Sequence, residues 1–276
     1  MEELDSYKLL FVDVDGTMVN SQKEILDSTK HTFEKLKEIG VEVVITSGRQ
    51  RSNCKKIADL VGLGRYIISA NGADVYDRVE QKKIYGEHID LESLNKLKDL
   101  IEKFDLRARM IFEDIAYVNK EIYNPLDEVL MEEDIETFIQ NHKIPQIVLY
   151  MKDLETFDKV KLEIHKIPQL KICHQTKHLE NQKRYFLDIT LKTTSKGNAI
   201  KKLCKILDIP TLYTVAIGDD NNDISMFEAV GVSIAMGNAS KNCMEKASTI
   251  TSSNDEDGIY HACINMFDIP EFEKEN

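Results

Sequence analysis

The strongest constraint on the fold is the alternation of short apolar runs with amphipathic segments over the first eighty residues. Residues 9–12, 41–46 and 66–69 are nearly unbroken apolar runs, as expected for strands buried on both faces. Apolar residues between the first two runs recur at helical spacing until Gly40, and a second helix is predicted over 52–60. Strands that alternate with helices pair in parallel, so the sequence predicts an α/β fold with a doubly wound, mainly parallel sheet.

This pattern stops at about residue 84 and resumes at about residue 190. The intervening segment is predicted to hold helices over 91–104, 132–141 and 153–166, and strands over 109–112, 116–119, 146–151, 170–174 and 185–189. Beyond it, we predict a helix over 195–207, a strand over 213–217, a helix over 223–230 and a strand over 232–235. We therefore predict a Rossmann-like core domain, residues 1–83 and 190–276, interrupted by an inserted α+β domain, residues 84–189.

Composition and charge limit the binding partners and the cellular location that we expect for the protein. The formal charge of −12 argues against nucleic acid or an anionic membrane as a partner, and no apolar stretch approaches the length of a membrane span. The acidic N-terminus lacks the basic-then-apolar order of a signal peptide. The five cysteines are odd in number and include no Cys-x-x-Cys pair, so neither a disulfide framework nor a zinc site is expected. We expect a cytoplasmic protein, and the sequence leaves its oligomeric state open.

Two acidic clusters follow buried strands. Asp13 and Asp15 come directly after the first strand, and two carboxylates about 4 Å apart repel each other by roughly 4 kcal/mol at an effective dielectric near 20. An acidic surface turn is the alternative interpretation. Asp219 and Asp223 follow the strand over 213–217, although a helix N-cap is the more common role for a residue such as Asp223 taken by itself. If both clusters share one sheet edge, these four carboxylates form a site for a hard cation, and Mg²⁺ is the expected one.

A hydroxyl and a cation lie between the clusters in sequence. Ser47 ends the second strand, where its hydroxyl and nearby backbone N–H groups are suited to a phosphate oxygen. Lys196 is predicted at a helix N-terminus, which is unfavourable for a cation unless an anion lies nearby. A solvated surface lysine is the alternative.

Together these segments resemble the haloacid dehalogenase-like phosphatases, in particular the Cof-type members with a type IIB cap. The resemblance covers essentially the whole chain. Four ordered motifs carry it: Asp13-Val14-Asp15-Gly16-Thr17, Ser47-Gly48-Arg49, Ser195-Lys196-Gly197, and Gly218-Asp219 through Asn222-Asp223. Two further segments, Asn71-Gly72-Ala73 and Ala235-Met236-Gly237-Asn238-Ala239, match Cof-type members. The second motif departs from the family in having serine where threonine is more usual.

The resemblance implies a Mg²⁺-dependent phosphatase that acts on small phosphorylated metabolites, often sugar phosphates, through an aspartyl-phosphate. It implies that Asp13 attacks phosphorus and that Asp15 handles protons, with a pKa raised by the acidic cluster. It also implies that Asp13, the Asp15 carbonyl and Asp219 hold Mg²⁺, while Asp223 orients the metal's water shell. The residues expected to contact the phosphoryl group or line its pocket are Ser47, Gly48, Asn71, Gly72, Lys196 and Asn222.

Three other functions remain open on the sequence. A phosphotransferase or phosphomutase would use the same residues and pass the phosphoryl group to a sugar. A receiver-like signalling module would also use an acidic pair, a hydroxyl, a lysine and Mg²⁺, but its phospho-accepting aspartate follows the third strand. A sugar-phosphate-binding regulator is disfavoured because no catalytic position is missing. The inserted segment also contains basic residues that are candidates to contact an anionic substrate, although no role is assigned to any of them. They are Arg107, Arg109, Lys177, Lys183 and Arg184.

Overall fold

The chain divides into two compact units in the computed structural model, which describes residues 7–123, 128–176 and 185–272. The core unit comprises Met1–Tyr85 and Ser195–Asn276, and the inserted unit comprises Gly86–Thr194. Each unit has its own sheet and its own cluster of buried apolar side chains.

The first part of the core unit alternates strands and helices, as the sequence predicts. Buried Phe33 and Leu36 anchor the first helix, and Gly40 follows it at φ +80°, a conformation that glycine adopts without strain. The strands are β1 (Leu9–Val12), β2 (Glu42–Thr46), β3 (Tyr66–Ser69), β4 (Asp74–Asp77) and β5 (Lys82–Gly86), and the helices are α1 (Asp27–Glu38) and α2 (Arg51–Leu60).

The inserted unit is an α+β structure. Its helices are α3 (Leu91–Lys103), α4 (Ile135–Asn141) and α5 (Leu154–His165), and its strands are β6 (Arg107–Phe112), β7 (Ile115–Val118), β8 (Glu128–Leu130), β9 (Gln146–Met151), β10 (Leu170–Thr176) and β11 (Tyr185–Leu191). The sheet order is β10-β11-β9-β6-β7-β8, and its pairs are antiparallel except β7–β8. The two ends of this unit meet, because Thr193 and Thr194 both donate hydroxyl hydrogen bonds to Glu87.

The second part of the core unit resumes the alternation. Its helices are α6 (Lys196–Leu207), α7 (Ile224–Phe227), α8 (Lys241–Lys246) and α9 (Gly258–Phe267), and its strands are β12 (Thr214–Gly218), β13 (Val232–Ala235) and β14 (Thr249–Ile250). The sheet order β14-β13-β12-β1-β2-β3-β4-β5 places β1 between β12 and β2. Both of these pairings are parallel, and Val12 lies opposite Ile217 on one side and Ile45 on the other. The predicted doubly wound, mainly parallel fold is therefore confirmed, and it brings three strand ends to one edge.

One local prediction is wrong in its extent, and one part of the sheet is not predicted. The helix predicted over 223–230 is a single 3₁₀ turn, Asn221–Asp223, followed by the short α7, because the Asp223 side chain closes the preceding turn and so sets where the helix begins. The sheet also continues beyond β3 with two strands that the sequence does not predict: β4 turns back antiparallel to β3, and β5 extends the edge further. These two strands are not predicted because they contain polar residues at 74, 77, 82 and 83, whereas the predicted strands are identified by apolar runs.

In the described part of the chain, no helix is both long enough and apolar enough to cross a membrane. The cysteines are free in the structure; they are Cys54, Cys173, Cys204, Cys243 and Cys263.

Candidate active site

The candidate site lies at the carboxyl ends of β12, β1 and β2. The register of these strands brings Asp13, Ser47 and Asp219 to the same edge, because each follows the last residues of one of the three. Asp13 continues the pairing by donating its backbone N–H to the Ile217 carbonyl at 3.0 Å. The convergence of the two acidic clusters, which the sequence left conditional, is thus a feature of the sheet.

Lys196 is buried among carboxylates. Its Nζ lies 2.6 Å from Asp13 Oδ1 and 2.6 Å from Asp223 Oδ1, and the side chain is 1% exposed. The alternative of a solvated surface lysine therefore fails. Its place at the first turn of α6 depends on a close approach by Gly72, where an added Cβ would stand 2.2 Å from the Ser195 carbonyl oxygen.

Asp223 combines the two roles that the sequence kept apart. Its Oδ2 accepts hydrogen bonds from the backbone N–H groups of Asp219, at 2.9 Å, and Asp220, at 3.1 Å. Its Oδ1 accepts the Lys196 bond, and the residue is fully buried. Asp223 therefore shapes the turn after β12 as a capping residue does, while it also belongs to the charged cluster.

Asp219 is held by the turn that follows β1. Thr17 donates its hydroxyl to Asp219 Oδ1 at 2.6 Å. Gly16 has φ +82°, and a Cβ there would stand 2.3 Å from Asp219 Oδ2, so both the backbone conformation and the space require glycine. The Asn238 amide donates to the Gly16 carbonyl at 2.8 Å, which fixes the same turn from a third loop.

The cluster carries more negative than positive charge. Oxygens of Asp13, Asp219 and Asp223 lie within 4.8 Å of one another, around one lysine. Burial raises the pKa of Asp13 well above its usual range, and the Asp223 charge adds to this against the opposing effect of Lys196. Burial also raises the pKa of Asp219 to about 7. An all-oxygen set with uncompensated charge is what Mg²⁺ prefers, so these residues fit the expected ion.

The prediction for Asp15 is wrong in sign. Burial raises its pKa, but hydrogen bonds and charge from Arg49 outweigh burial, so the pKa of Asp15 lies below its ordinary value. Arg49 Nε lies 2.8 Å from Asp15 Oδ2, and Nη2 lies 2.6 Å from Oδ1. Arg49 belongs to the second motif, and no role is predicted for it from the sequence. Its position three residues after the end of β2, at the edge that carries the acidic pair, is the signal that would have paired it with Asp15.

The remaining predicted residues form a polar network beside the cluster. Ser47 is buried, its Oγ accepts the Arg49 backbone N–H at 3.2 Å, and its carbonyl accepts the Asn71 N–H at 3.1 Å. Asn71, at φ +54°, accepts a hydrogen bond from the Asn222 amide at 3.2 Å. A Cβ on Gly48 would stand 3.0 Å from the Asn71 side chain. The structure thus brings a hydroxyl and two amides next to the carboxylates.

The basic residues of the inserted unit are partly accounted for. Arg107 Nη2 lies 2.6 Å from Glu128 Oε2, and Arg109 Nε lies 3.5 Å from Glu128 Oε1, so both arginines already have a carboxylate partner. Lys177, Lys183 and Arg184 lie outside the described residues.

Most of the chain is similar to known proteins. The family model for haloacid dehalogenase-like hydrolases matches residues 10–263. The 5-amino-6-(5-phospho-D-ribitylamino)uracil phosphatase YcsE of Bacillus subtilis is 26% identical over 265 residues, covering 95% of this chain and 96% of that protein. Phosphatase YwpJ of the same organism is 26% identical over 279 residues, covering 92% and 98%. Among solved structures, the HAD subclass IIB sugar phosphatase BT4131 is 25% identical with a TM-score of 0.78, covering 95% of this chain and 100% of that one.

Proposed function

The chain belongs to the haloacid dehalogenase-like hydrolase family, and we propose that it is a magnesium-dependent phosphatase that hydrolyses small phosphorylated metabolites, sugar phosphates foremost. Family membership confirms the resemblance that the four motifs indicate, and the enzyme class is phosphoric monoester hydrolase. The observation that best supports the full proposal is the cluster of Asp13, Asp219 and Asp223 beside the buried Lys196, because it supplies a nucleophile and a cation site together.

Asp13 is the proposed nucleophile. Lys196 holds Oδ1, and Oδ2 forms a bond to phosphorus as the bond from phosphorus to the leaving-group oxygen breaks. Because Arg49 holds the pKa of Asp15 below its ordinary value, Asp15 takes up a proton with the substrate and then gives that proton to the leaving oxygen. In the second step, water gives a proton to Asp15 and its oxygen attacks the aspartyl-phosphate, which releases inorganic phosphate and restores the Asp13 carboxylate.

Mg²⁺ would be held by Asp13, the backbone carbonyl of Asp15 and Asp219. When bound, the ion neutralises charge on the phosphoryl group and on the carboxylates, so that one anion can approach another. Asp223 would act on the ion's water shell rather than directly, because Lys196 and two backbone N–H groups already engage its oxygens.

The phosphoryl oxygens are proposed to contact Ser47, Lys196 and Asn222, with Gly48, Asn71 and Gly72 lining the same pocket. These groups are fixed before substrate arrives, by bonds such as Asn222 to Asn71, and preorganised donors stabilise the charge that moves in phosphoryl transfer.

The substrate class follows from the relatives by analogy. One relative is named for a phosphorylated ribityl compound and one structural neighbour for sugar phosphates. We carry only the shared chemistry to this chain: a small phosphate monoester with hydroxyl groups. That residues 84–189 act as a type IIB cap, and that the protein is cytoplasmic, stay predictions. Family membership does not support the receiver-like alternative; the phosphotransferase or phosphomutase alternative uses the same cluster.

The test is a panel of phosphorylated metabolites and p-nitrophenyl phosphate, assayed with Mg²⁺ and with EDTA. We expect turnover that EDTA abolishes and Mg²⁺ restores, and a loss of at least about a thousandfold in kcat for Asp13→Asn. Asp208→Asn is the matched control, because Asp208 is exposed at φ +55°, which asparagine tolerates. Magnesium-dependent hydrolysis retained in Asp13→Asn would contradict the mechanism. Free phosphate appearing in less than stoichiometric amount, with a new sugar phosphate, would favour the phosphotransferase.

A further inference from the structure

Asp15 and Arg49 form a two-pronged ion pair in the core unit. Both carboxylate oxygens of Asp15 accept guanidinium N–H groups, at 2.8 Å from Nε and 2.6 Å from Nη2. Paired hydrogen bonds of this kind fix the direction of a carboxylate as well as its position, since the guanidinium is planar and its donors are rigid. The orientation of Asp15 is therefore set by Arg49.

Arg49 is itself held firmly by its backbone. Its N–H donates to Ser47 Oγ at 3.2 Å, and its carbonyl accepts the Ala70 N–H at 2.9 Å. The pair is not buried like the cluster beside it: the Asp15 side chain is 51% exposed and that of Arg49 is 34% exposed. A half-exposed pair contributes only modestly to stability, and what its two-pronged geometry chiefly supplies is a fixed direction for the Asp15 carboxylate.

The pair restricts what Asp15 can do. In the proposed function, on which this inference rests, one oxygen of Asp15 must reach the leaving-group oxygen of the substrate. Because each oxygen of Asp15 already accepts a hydrogen bond from Arg49, neither oxygen is entirely free to bond to the substrate. We propose that Arg49 is a positioning residue: it holds Asp15 in a fixed orientation in the resting site and keeps one of its two hydrogen bonds while Asp15 turns the other oxygen to the leaving group.

This role makes a prediction that a phosphate-binding role does not. If Arg49 acts through Asp15, its loss matters in proportion to how much the leaving group needs a proton. If it contacts the phosphoryl group, its loss weakens binding of any phosphate ester and of phosphate itself. Two aryl esters of similar size separate these cases, because p-nitrophenolate departs without a proton more readily than phenolate does.

The experiment compares Arg49→Gln, Arg49→Lys, Asp15→Asn and the double variant on p-nitrophenyl phosphate and phenyl phosphate. For Arg49→Gln we expect kcat to fall about tenfold with phenyl phosphate and no more than about twofold with p-nitrophenyl phosphate. Inhibition by inorganic phosphate should be unchanged. Arg49→Lys, which keeps a single donor to Asp15, should fall between wild type and Arg49→Gln. In the Asp15→Asn background, Arg49→Gln should have no further effect.

Arg65→Gln is the matched control, because Arg65 also donates to an aspartate, Asp77, from Nε at 3.0 Å in the same unit. It should leave both kcat values unchanged. Equal losses on the two esters, weaker inhibition by phosphate, or additive losses in the double variant would each overturn the positioning role. Failure of the proposed function is distinguishable, because wild-type protein would then hydrolyse neither ester. Should Arg49→Gln fail to fold, Arg49→Lys carries the same comparison.

Discussion

Two clusters of charged side chains, one in each unit of the molecule, balance their charges differently. In the candidate site of the core unit, Asp13, Asp219 and Asp223 lie together, and Lys196 pairs with two of them. In the inserted unit, Glu128 is matched by Arg107 and Arg109, and Asp188 accepts two hydrogen bonds from the Gln146 amide. A buried cluster that lacks counter-charge is costly unless something else binds there, whereas a matched one serves the fold. The comparison marks the core cluster as the place where a ligand completes the structure.

The largest effect is expected at the one lysine of the core cluster. Lys196→Met leaves Asp13 and Asp223 without their shared partner, so we expect kcat with p-nitrophenyl phosphate to fall at least about a thousandfold. Lys201→Met, at an exposed position of the same helix, is the control and should retain wild-type turnover. Activity of Lys196→Met within tenfold of wild type would mean that the cluster does not depend on its lysine.

In the inserted unit, the charged cluster of Glu128, Arg107 and Arg109 depends most on Glu128, which pairs with both arginines. Its Oε2 accepts both the Arg107 guanidinium, at 2.6 Å, and the Tyr123 N–H, at 2.9 Å. Glu128→Gln leaves buried guanidinium charge unpaired, so we expect the free energy of unfolding to fall by about 3 kcal/mol in urea titrations. Glu155→Gln removes the exposed pair with Lys159 and should lower the free energy of unfolding far less. Equal costs in the two variants would show that burial does not distinguish the pairs.

The second buried carboxylate of the inserted unit, Asp188, should make the free energy of unfolding depend on pH. Burial raises its pKa to about 6, against the opposing Gln146 hydrogen bonds. The folded chain therefore keeps a proton that the unfolded chain loses near its ordinary pKa of about 4, so the unfolding free energy falls as pH rises from about 4 to about 6. Asp188→Asn removes this dependence. We therefore compare the free energy of unfolding of the variant with that of wild type at each pH. Between pH 4 and pH 7 this difference should shift in favour of the variant by roughly 2–3 kcal/mol.

Chemical denaturation at several pH values measures that difference. Asp99→Asn, an exposed substitution on α3, is the control and should run parallel to wild type across the range. A constant offset between Asp188→Asn and wild type would contradict the assignment.

The smallest effect is stabilisation by Mg²⁺ itself. An ion that binds only the folded core cluster at ten times its dissociation constant stabilises the chain by about 1.4 kcal/mol, visible as a higher Tm. Asp219→Asn should abolish the rise, whereas Asp188→Asn in the other cluster should keep it. A rise in Tm that survives Asp219→Asn would place the ion elsewhere.

The sequence predicts the parts of the site that depend on strand ends. Asp13 and Asp219 follow apolar runs that can only be buried strands, and parallel pairing brings such ends together whatever the side chains between them. The strands over Gln146–Met151 and Val232–Ala235 match their predicted limits for the same reason, since apolar runs define them.

The sequence does not predict the parts that depend on which particular side chains and backbone groups bond to each other. The pKa of Asp15 is set by Arg49, 34 residues away, and a count of nearby acidic residues gives the opposite sign. The start of α7 depends on the Asp223 side chain bonding back to the N–H of Asp219, which helical periodicity cannot register. In both cases the deciding interaction is a single hydrogen-bonded pairing, 34 residues apart in the first case and four in the second, that neither helical periodicity nor a count of nearby charges registers.

The joined ends of the inserted unit have a consequence for how such a chain can change. Thr193 and Thr194 hydrogen-bond to Glu87, so the polypeptide leaves this unit where it entered. Closing the gap between residues 86 and 195 with a short linker would therefore demand little rearrangement of the strands on either side. The insertion is in this sense an exchangeable module: it can lengthen, shrink or be replaced, in evolution or by design, without altering the connectivity of the sheet that carries the carboxylates.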